Sequence, residues 1–339
     1  MMLTDQQALR MGYLSREEQL VQAQEVTLRQ GDGRTLCCHQ LALPNRLSAT
    51  IQWDRCMDIS HLRYAGIPLC YLGKSDERSD SSPQFEQRFS GGMLYTCGLL
   101  NVGPQDDAQP THGRIHLQSA CMRSVRRVGD ALVLQGQMRE GALFGENLRL
   151  TRRLTFPLNT PEVHLSDTLE NLSPTPQPYM LLYHINLGYP LLSEHLRLTL
   201  PDGTQTTAAT AHARKHQAEH AFFTPPQADF QEQDFYHRLP AQDGYCALTA
   251  ENSMLGIGLG LRYRADTLPY LVQWRCLRSG DYVLGLEPAN NHAQGRTQAA
   301  RDQCLPRLQP FETITTALTL TCYDLPQQRM MPPADVTDA

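Results

Sequence analysis

The stretch Thr313-Ile314-Thr315-Thr316-Ala317-Leu318-Thr319-Leu320-Thr321-Cys322 runs with period two: Ile314, Thr316, Leu318, Leu320 and Cys322 alternate with Thr313, Thr315, Ala317, Thr319 and Thr321. That period belongs to a strand with one face in a core, since helical apolar positions recur every three to four residues. Outward from it, Leu196, Leu198 and Leu200 alternate with Arg197 and Thr199 ahead of the turn signal Pro201-Asp202-Gly203. Further strand-like runs cover 131–134, 148–156, 180–184, 256–263 and 282–286. The 23 glycines and 22 prolines are scattered between such runs rather than clustered, as short strands joined by turns require. These features predict an all-β chain built as a large antiparallel sandwich rather than as alternating βαβ units.

Helical signals are scarce. Ser15-Arg16-Glu17-Glu18 has the form of a capping box ahead of Leu20, Val21 and Val26, which predicts a short helix near the N-terminus. The expected organisation is an N-terminal helical extension over 1–30, one β-sandwich domain over 31–324 and a flexible tail over 325–339. The proline-rich stretch 173–178 reads as a loop within that domain, because strand-like segments flank it closely.

The chain has 339 residues with 30 Lys+Arg against 35 Asp+Glu, a net charge of −5. Such a balance supplies no basic field for nucleic acid and no polybasic footprint for a membrane surface. The N-terminus lacks a charged lead followed by an apolar run, and no stretch approaches 18 uncharged apolar residues, so a soluble, cytoplasmic protein is expected. Ten cysteines are spread along the chain without a C-x-x-C pair, which points to reduced thiols rather than to a zinc ribbon.

Three polar sites interrupt apolar or turn-like contexts: Thr111-His112-Gly113-Arg114, Tyr183-His184-Ile185-Asn186-Leu187-Gly188 and Gly285-Leu286-Glu287-Pro288. A carboxylate where an apolar strand ends lies partly desolvated, which raises its pKa toward neutrality and suits it to proton transfer. His212, His216 and His220 fall at i, i+4 and i+8 and would line one face of a helix; in an alanine-rich polar segment they read as solvated histidines, and no metal site is expected.

In order and context the three sites resemble the galactose mutarotase-like, or aldose 1-epimerase, superfamily. Its members carry an HG motif, then a histidine and asparagine on a strand, then a glutamate after a glycine near the C-terminus. His184-Ile185-Asn186-Leu187 and Gly285-Leu286-Glu287 are each one residue shorter than the family form. Ser90-Gly91-Gly92 through His112-Gly113-Arg114 resembles the "R-G-G … H-G-F-A-R" signature of the hexose-phosphate mutarotase branch, and Trp274 is placed like that branch's tryptophan. An uncharacterised bacterial branch of aldose 1-epimerase-like proteins is closer still. The likeness to it rests on Arg55-Cys56-Met57-Asp58-Ile59, on Gly91-Gly92-Met93-Leu94-Tyr95-Thr96-Cys97-Gly98-Leu99 and on Leu268-Pro269-Tyr270-Leu271-Val272-Gln273-Trp274.

The resemblance spans roughly residues 30–322. It implies a galactose mutarotase-like β-supersandwich with a short N-terminal helix and a sugar cleft on one curved sheet, and it implies no cofactor. It makes Glu287 the base for the anomeric hydroxyl and His184 the acid for the ring oxygen, with His112, Asn186 and Trp274 contacting the sugar. Where the phosphate-sugar branch has arginine this chain has Ser90, so Arg88 or Arg114 would have to substitute. Asp234 and His237 are the nearest counterparts of the aspartate that binds sugar hydroxyls. The implied activity is interconversion of the α and β anomers of a free sugar. Isomerisation or epimerisation of a less common sugar or sugar acid, or sugar binding without turnover, are the alternatives on the same fold. A homodimer is one way to cover the sheet edges, and no sequence feature decides it.

Overall fold

In the computed structural model, residues 5–29, 33, 35–75, 84–106 and 109–326 are described. Three antiparallel sheets carry most of the chain. A five-stranded meander over residues 22–68 opens it; an eight-stranded sheet runs from Leu196–Thr199 at one edge to Cys121–Val128 at the other; a six-stranded sheet holds Gln205–Ala208, Gln233–Arg238, Tyr270–Arg278, Asp281–Ala289, Met180–Leu187 and Tyr95–Leu99, in that spatial order. These sheets make the all-β antiparallel sandwich that the sequence implied.

Thr313–Asp324 lies inside the eight-stranded sheet, between Glu162–Asn171 and Ile257–Arg264. Its even-numbered residues Thr316, Leu318, Leu320 and Cys322 are buried and the odd-numbered ones are more exposed, as the alternation requires. The other strand-like runs also lie in strands, among them Ala131–Gly141, Asn147–Pro157 and Ile257–Arg264.

Met180–Leu187 is buried on both faces, so its sequence reads as a continuous apolar run rather than an alternation. Leu181, Tyr183, Ile185 and Leu187 enter the large core, whereas Met180 and Leu182 join a second cluster with Phe89, Tyr95, Val272 and Ala289. Period two then puts His184 on the face of that second cluster. The same assignment holds along Asp281–Ala289, where Leu284 and Leu286 face the large core and Ala289 faces the other way. Glu287 shares the Ala289 face.

The helix expected from the capping box does not form where the box lies. A six-residue helix covers Asp5–Arg10 instead, and Glu17–Gln19 is one 3-10 turn whose N-cap position is Arg16, with no side-chain cap. Gln22–Arg29 is a strand paired with Thr35–Ala42 from Gln22 opposite Ala42 to Arg29 opposite Thr35. Backbone pairing along eight residues and the packing of Val21 and Ala23 on the core outweigh one local cap, which contributes about 1 kcal/mol. Of the expected tail, residues 327–339 lie outside the described residues.

A buried ionic network ties the sheets together. Arg152, fully buried, makes ion pairs of 2.7 Å to both Asp58 and Asp167. It also donates to the Cys56 carbonyl and to Thr96 Oγ1, while the Tyr183 hydroxyl donates to Asp167 and Thr96 donates to Asp58. Burial pushes the Asp58 carboxyl up to about 6 against the pull of Arg152 and Thr96, which leaves it ionised at neutral pH. Asp58 is thus a cross-sheet tie.

Candidate active site

The face of the six-stranded sheet turned away from the large core carries the site, and the strand register assembles it. Leu182 stands opposite Ala289 and Ile185 opposite Leu286, which sets His184 beside Glu287. Tyr95 stands opposite His184 on one side, and Val272 opposite Glu287 on the other. One step along the strands Gly285 meets Trp274 and Trp274 meets Asp234, while Tyr236 meets Val272. Side chains from strands far apart in sequence therefore form two adjacent rows across the sheet.

Above these rows is a cleft of about 740 Å³, walled by Phe85, Phe89, His112, Glu232, Tyr236 and Trp274 together with the catalytic candidates. His184 Nε2 lies 3.0 Å from Glu287 Oε1. Both side chains are more than nine-tenths buried, and the contact is not an aligned hydrogen bond: Glu287 Oε1 and His184 Nδ1 are left without hydrogen-bond partners. Such orphaned polar atoms are costly in a folded protein unless something else completes them.

Burial drives both groups toward neutrality. His184 is pulled down to about 3 by desolvation, with His112 nearby adding to the fall and the Asn186 side chain opposing it. Glu287 is pushed well above the usual carboxylate range by burial, with the Asp234 charge adding to the rise. Burial therefore opposes charge on both members of the pair. Gly285 keeps the space open, because a Cβ there would run into Glu287 Oε1 and would lie 3.1 Å from both His184 Cε1 and Trp274 Cβ.

His112 arrives from a loop. Its backbone is left-handed, at φ 57°, and is fixed by its N–H donating to the Gly103 carbonyl and by its carbonyl accepting from Gly98. Gly113 follows in the same left-handed region, where a Cβ would collide with the Gly98 carbonyl and sit 2.8 Å from that of Asn101. This explains the HG pair: the loop passes too close to the Tyr95–Leu99 strand for any side chain at 113. The Gly103 N–H approaches His112 Nδ1 at 3.4 Å, which leaves the Nε2 proton for the cleft, and burial pulls His112 down to about 4. Its ring centroid is 6.4 Å from that of His184 and 4.7 Å from that of Phe85.

Trp274 stands edge-on to His184, with centroids 5.5 Å apart, and its indole N–H donates to Glu232 Oε2 at 3.0 Å. Asp234 lies in the same wall, its carboxyl pushed up to about 6 by burial and then by Glu232.

Of the residues singled out from sequence, Glu287, His184, His112, Asp234 and Trp274 meet in the cleft. Four do not line it. Asn186 is fully buried behind His184, donating to the Gly92 and His184 carbonyls. Arg114 turns away to Glu140 and Glu146, at 2.6 and 3.1 Å, because those carboxylates offer it charge pairing beside the neighbouring sheet. Arg88 is buried near Tyr95 and His116, outside the cleft wall. His237 falls on the opposite sheet face, between Thr206 Oγ1 and Gln273 Oε1, because it directly follows Tyr236 on an alternating strand. Glu232, Tyr236, Phe85 and Phe89 were missed. Period two from Asp234 would have named the first two and excluded His237. The helix beneath His212 ends at Lys215, so His212, His216 and His220 do not share one helical face.

A family model described as a domain of unknown function (DUF4432) matches residues 34–322. No curated protein matches in sequence. Among solved structures, a candidate aldose 1-epimerase from Klebsiella pneumoniae superposes with a TM-score of 0.80 at 20% identity, covering 89% of this chain and 83% of its own. A galactose mutarotase-like protein from Clostridium acetobutylicum gives 0.65 at 12%, covering 91% and 100%. The galactose 1-epimerase of Lactobacillus acidophilus gives 0.60 at 13%, covering 90% and 99%. At these identities the likeness establishes the fold, and the chemistry rests on the cleft.

Proposed function

The chain belongs to the DUF4432 family, and on that premise we propose that it is a mutarotase, interconverting the α and β anomers of a free aldose by acid–base chemistry of its own side chains. The observation that carries this reading is the His184–Glu287 pair, 3.0 Å apart, buried and incompletely hydrogen-bonded at the floor of an aromatic cleft.

Anomer exchange moves two protons on atoms bonded to one carbon: the anomeric hydroxyl loses its proton and the ring oxygen gains one. A neighbouring base and acid that share a single proton suffice. Passing that proton from Glu287 to His184 gives a carboxylate and an imidazolium. Glu287 then takes the hydroxyl proton while His184 delivers its own to the ring oxygen, and the C1–ring oxygen bond breaks to give the open-chain aldehyde. This step returns the pair to neutral His184 and protonated Glu287, the form that burial favours in the free cleft. Rotation about the C1–C2 bond and the reverse transfers close the ring on the other face. Each positioned group contributes about 10²–10⁴-fold.

The His112 Nε2–H is available to the developing negative charge on an oxygen, Asp234 to sugar hydroxyls, and Trp274 and Phe89 to the apolar faces of the ring. Exchange NMR between α and β signals of simple aldoses tests the reading: the protein should accelerate exchange, and replacement of Glu287 by Gln should abolish the acceleration.

A further inference from the structure

The charge on the cleft wall deepens that reading by naming a substrate class, and it rests on it. At neutral pH His112 and His184 are uncharged, so the histidines bring no positive charge to the cleft. Two carboxylates, Glu232 just ahead of the strand Gln233–Arg238 and Asp234 on it, stand two residues apart, and both line the cleft. Glu232 is held there by the Trp274 indole N–H, and among the described residues no cation acts on Asp234.

The basic residues that line the cleft are Lys74 and Arg278. Lys74 is taken by Asp281, at 2.7 Å. Arg278 is on the strand of Val272 and Trp274, but six residues beyond Val272, the residue opposite Glu287. At about 3.3 Å per residue that is roughly 20 Å along the sheet, farther than a hexose is long. Arg88 and Arg114, the alternatives for a phosphate, do not line the cleft. The wall beside the reacting pair therefore carries carboxylates, and the two basic residues of the cleft stand toward its other end, Lys74 on Asp281 and Arg278 opposite Asp281. His184 Nδ1 and Glu287 Oε1, both buried at this cleft, have no hydrogen-bond partner among the described residues.

We propose that this cleft selects an aldose bearing a protonated amino group over its neutral counterpart, and excludes aldoses bearing phosphate or carboxylate. An ammonium group beside Glu232 and Asp234 relieves the repulsion between them and supplies three hydrogen-bond donors, whereas an anion adds to that repulsion.

The test uses the full chain at pH 7 and low salt, with a 2-amino-2-deoxyaldose, its N-acetyl form, the parent aldose, the corresponding uronic acid and the 6-phosphate. Anomer exchange is followed by NMR, and the Trp274 indole N–H signal reports binding in the same samples. The expected kcat/KM for the amino sugar is about five- to tenfold above those of the N-acetyl and parent sugars, with the anions slowest. In Glu232→Gln the amino-to-parent ratio falls toward one, and the shift of the indole signal by the parent sugar shows that the variant is folded. Equal values for amino and N-acetyl sugars, or a faster anion, overturn the inference while leaving the mutarotase reading intact. If no sugar exchanges, that reading fails, and the indole titration then decides the inference alone: tighter binding of the amino sugar sustains it and equal binding overturns it.

Discussion

Tyr183 and His184 are adjacent in sequence, point to opposite faces of one strand, and end in two buried polar clusters of opposite character. On the Tyr183 side, Arg152, Asp58, Asp167 and Thr96 bind one another in a network bridging the sheets. On the His184 side, Glu287 and His184 are as deeply buried, yet each keeps an atom without a partner. Burial of a charge is tolerated when pairing is complete, and an incomplete pair costs stability that only a bound molecule returns. The contrast separates a cluster that holds the fold from the one to which the proposed chemistry is assigned.

The largest effect is expected at the unsatisfied cluster. Glu287→Gln should slow anomer exchange by about 10²–10⁴-fold while leaving thermal unfolding no lower than wild type. A marked fall in unfolding temperature would erase the distinction between the clusters. At the satisfied cluster the expectation is reversed: Arg152→Met leaves Asp58 and Asp167 buried without a cation and should cost about 3–5 kcal/mol in urea unfolding. Adding Asp58→Asn and Asp167→Asn to that variant should recover much of the loss.

A third variant sharpens the comparison by disturbing geometry alone. Gly285→Ala puts a methyl group against Glu287 Oε1, and exchange should fall about 10²-fold, with a small change in stability.

The smallest effect is on pH dependence. His184 titrates near 3 when folded and at about 6.5 when unfolded, so between these values the unfolded state binds a proton that the folded state does not. Its contribution to stability is fully present above about pH 6.5 and is lost as pH falls toward 3. Asp234, raised to about 6, contributes with the opposite sign and cancels when two proteins containing it are compared. His184→Gln should therefore show a shallower loss of stability between pH 6.5 and 4, by about 1.4 kcal/mol per pH unit at most. Parallel curves would mean that His184 is not held neutral by burial.

The strands were legible because alternation is a local property: Thr313–Asp324 announces its buried face residue by residue. The Glu287, His184 and His112 contexts were legible because a polar residue stands out at the end of an apolar run or in a glycine turn. What joins them was not, because the register that sets His184 beside Glu287 spans about a hundred residues of chain and leaves no local trace. The same gap made Arg114 look available, when its partners are Glu140 on a strand of a neighbouring sheet and Glu146 in the turn that follows it. His237 was a local error, since the alternation of its own strand turns it away from Tyr236. The capping box failed for a third reason, because long-range pairing of Gln22–Arg29 overrode a local signal.

The most direct measurement is exchange NMR on an uncharged aldose at neutral pH, with wild type and Glu287→Gln side by side. The account predicts selective exchange between the α and β signals in the presence of wild type and none above background with the variant. Exchange as fast in the variant as in wild type would contradict it, because the buried pair would then not be moving the protons.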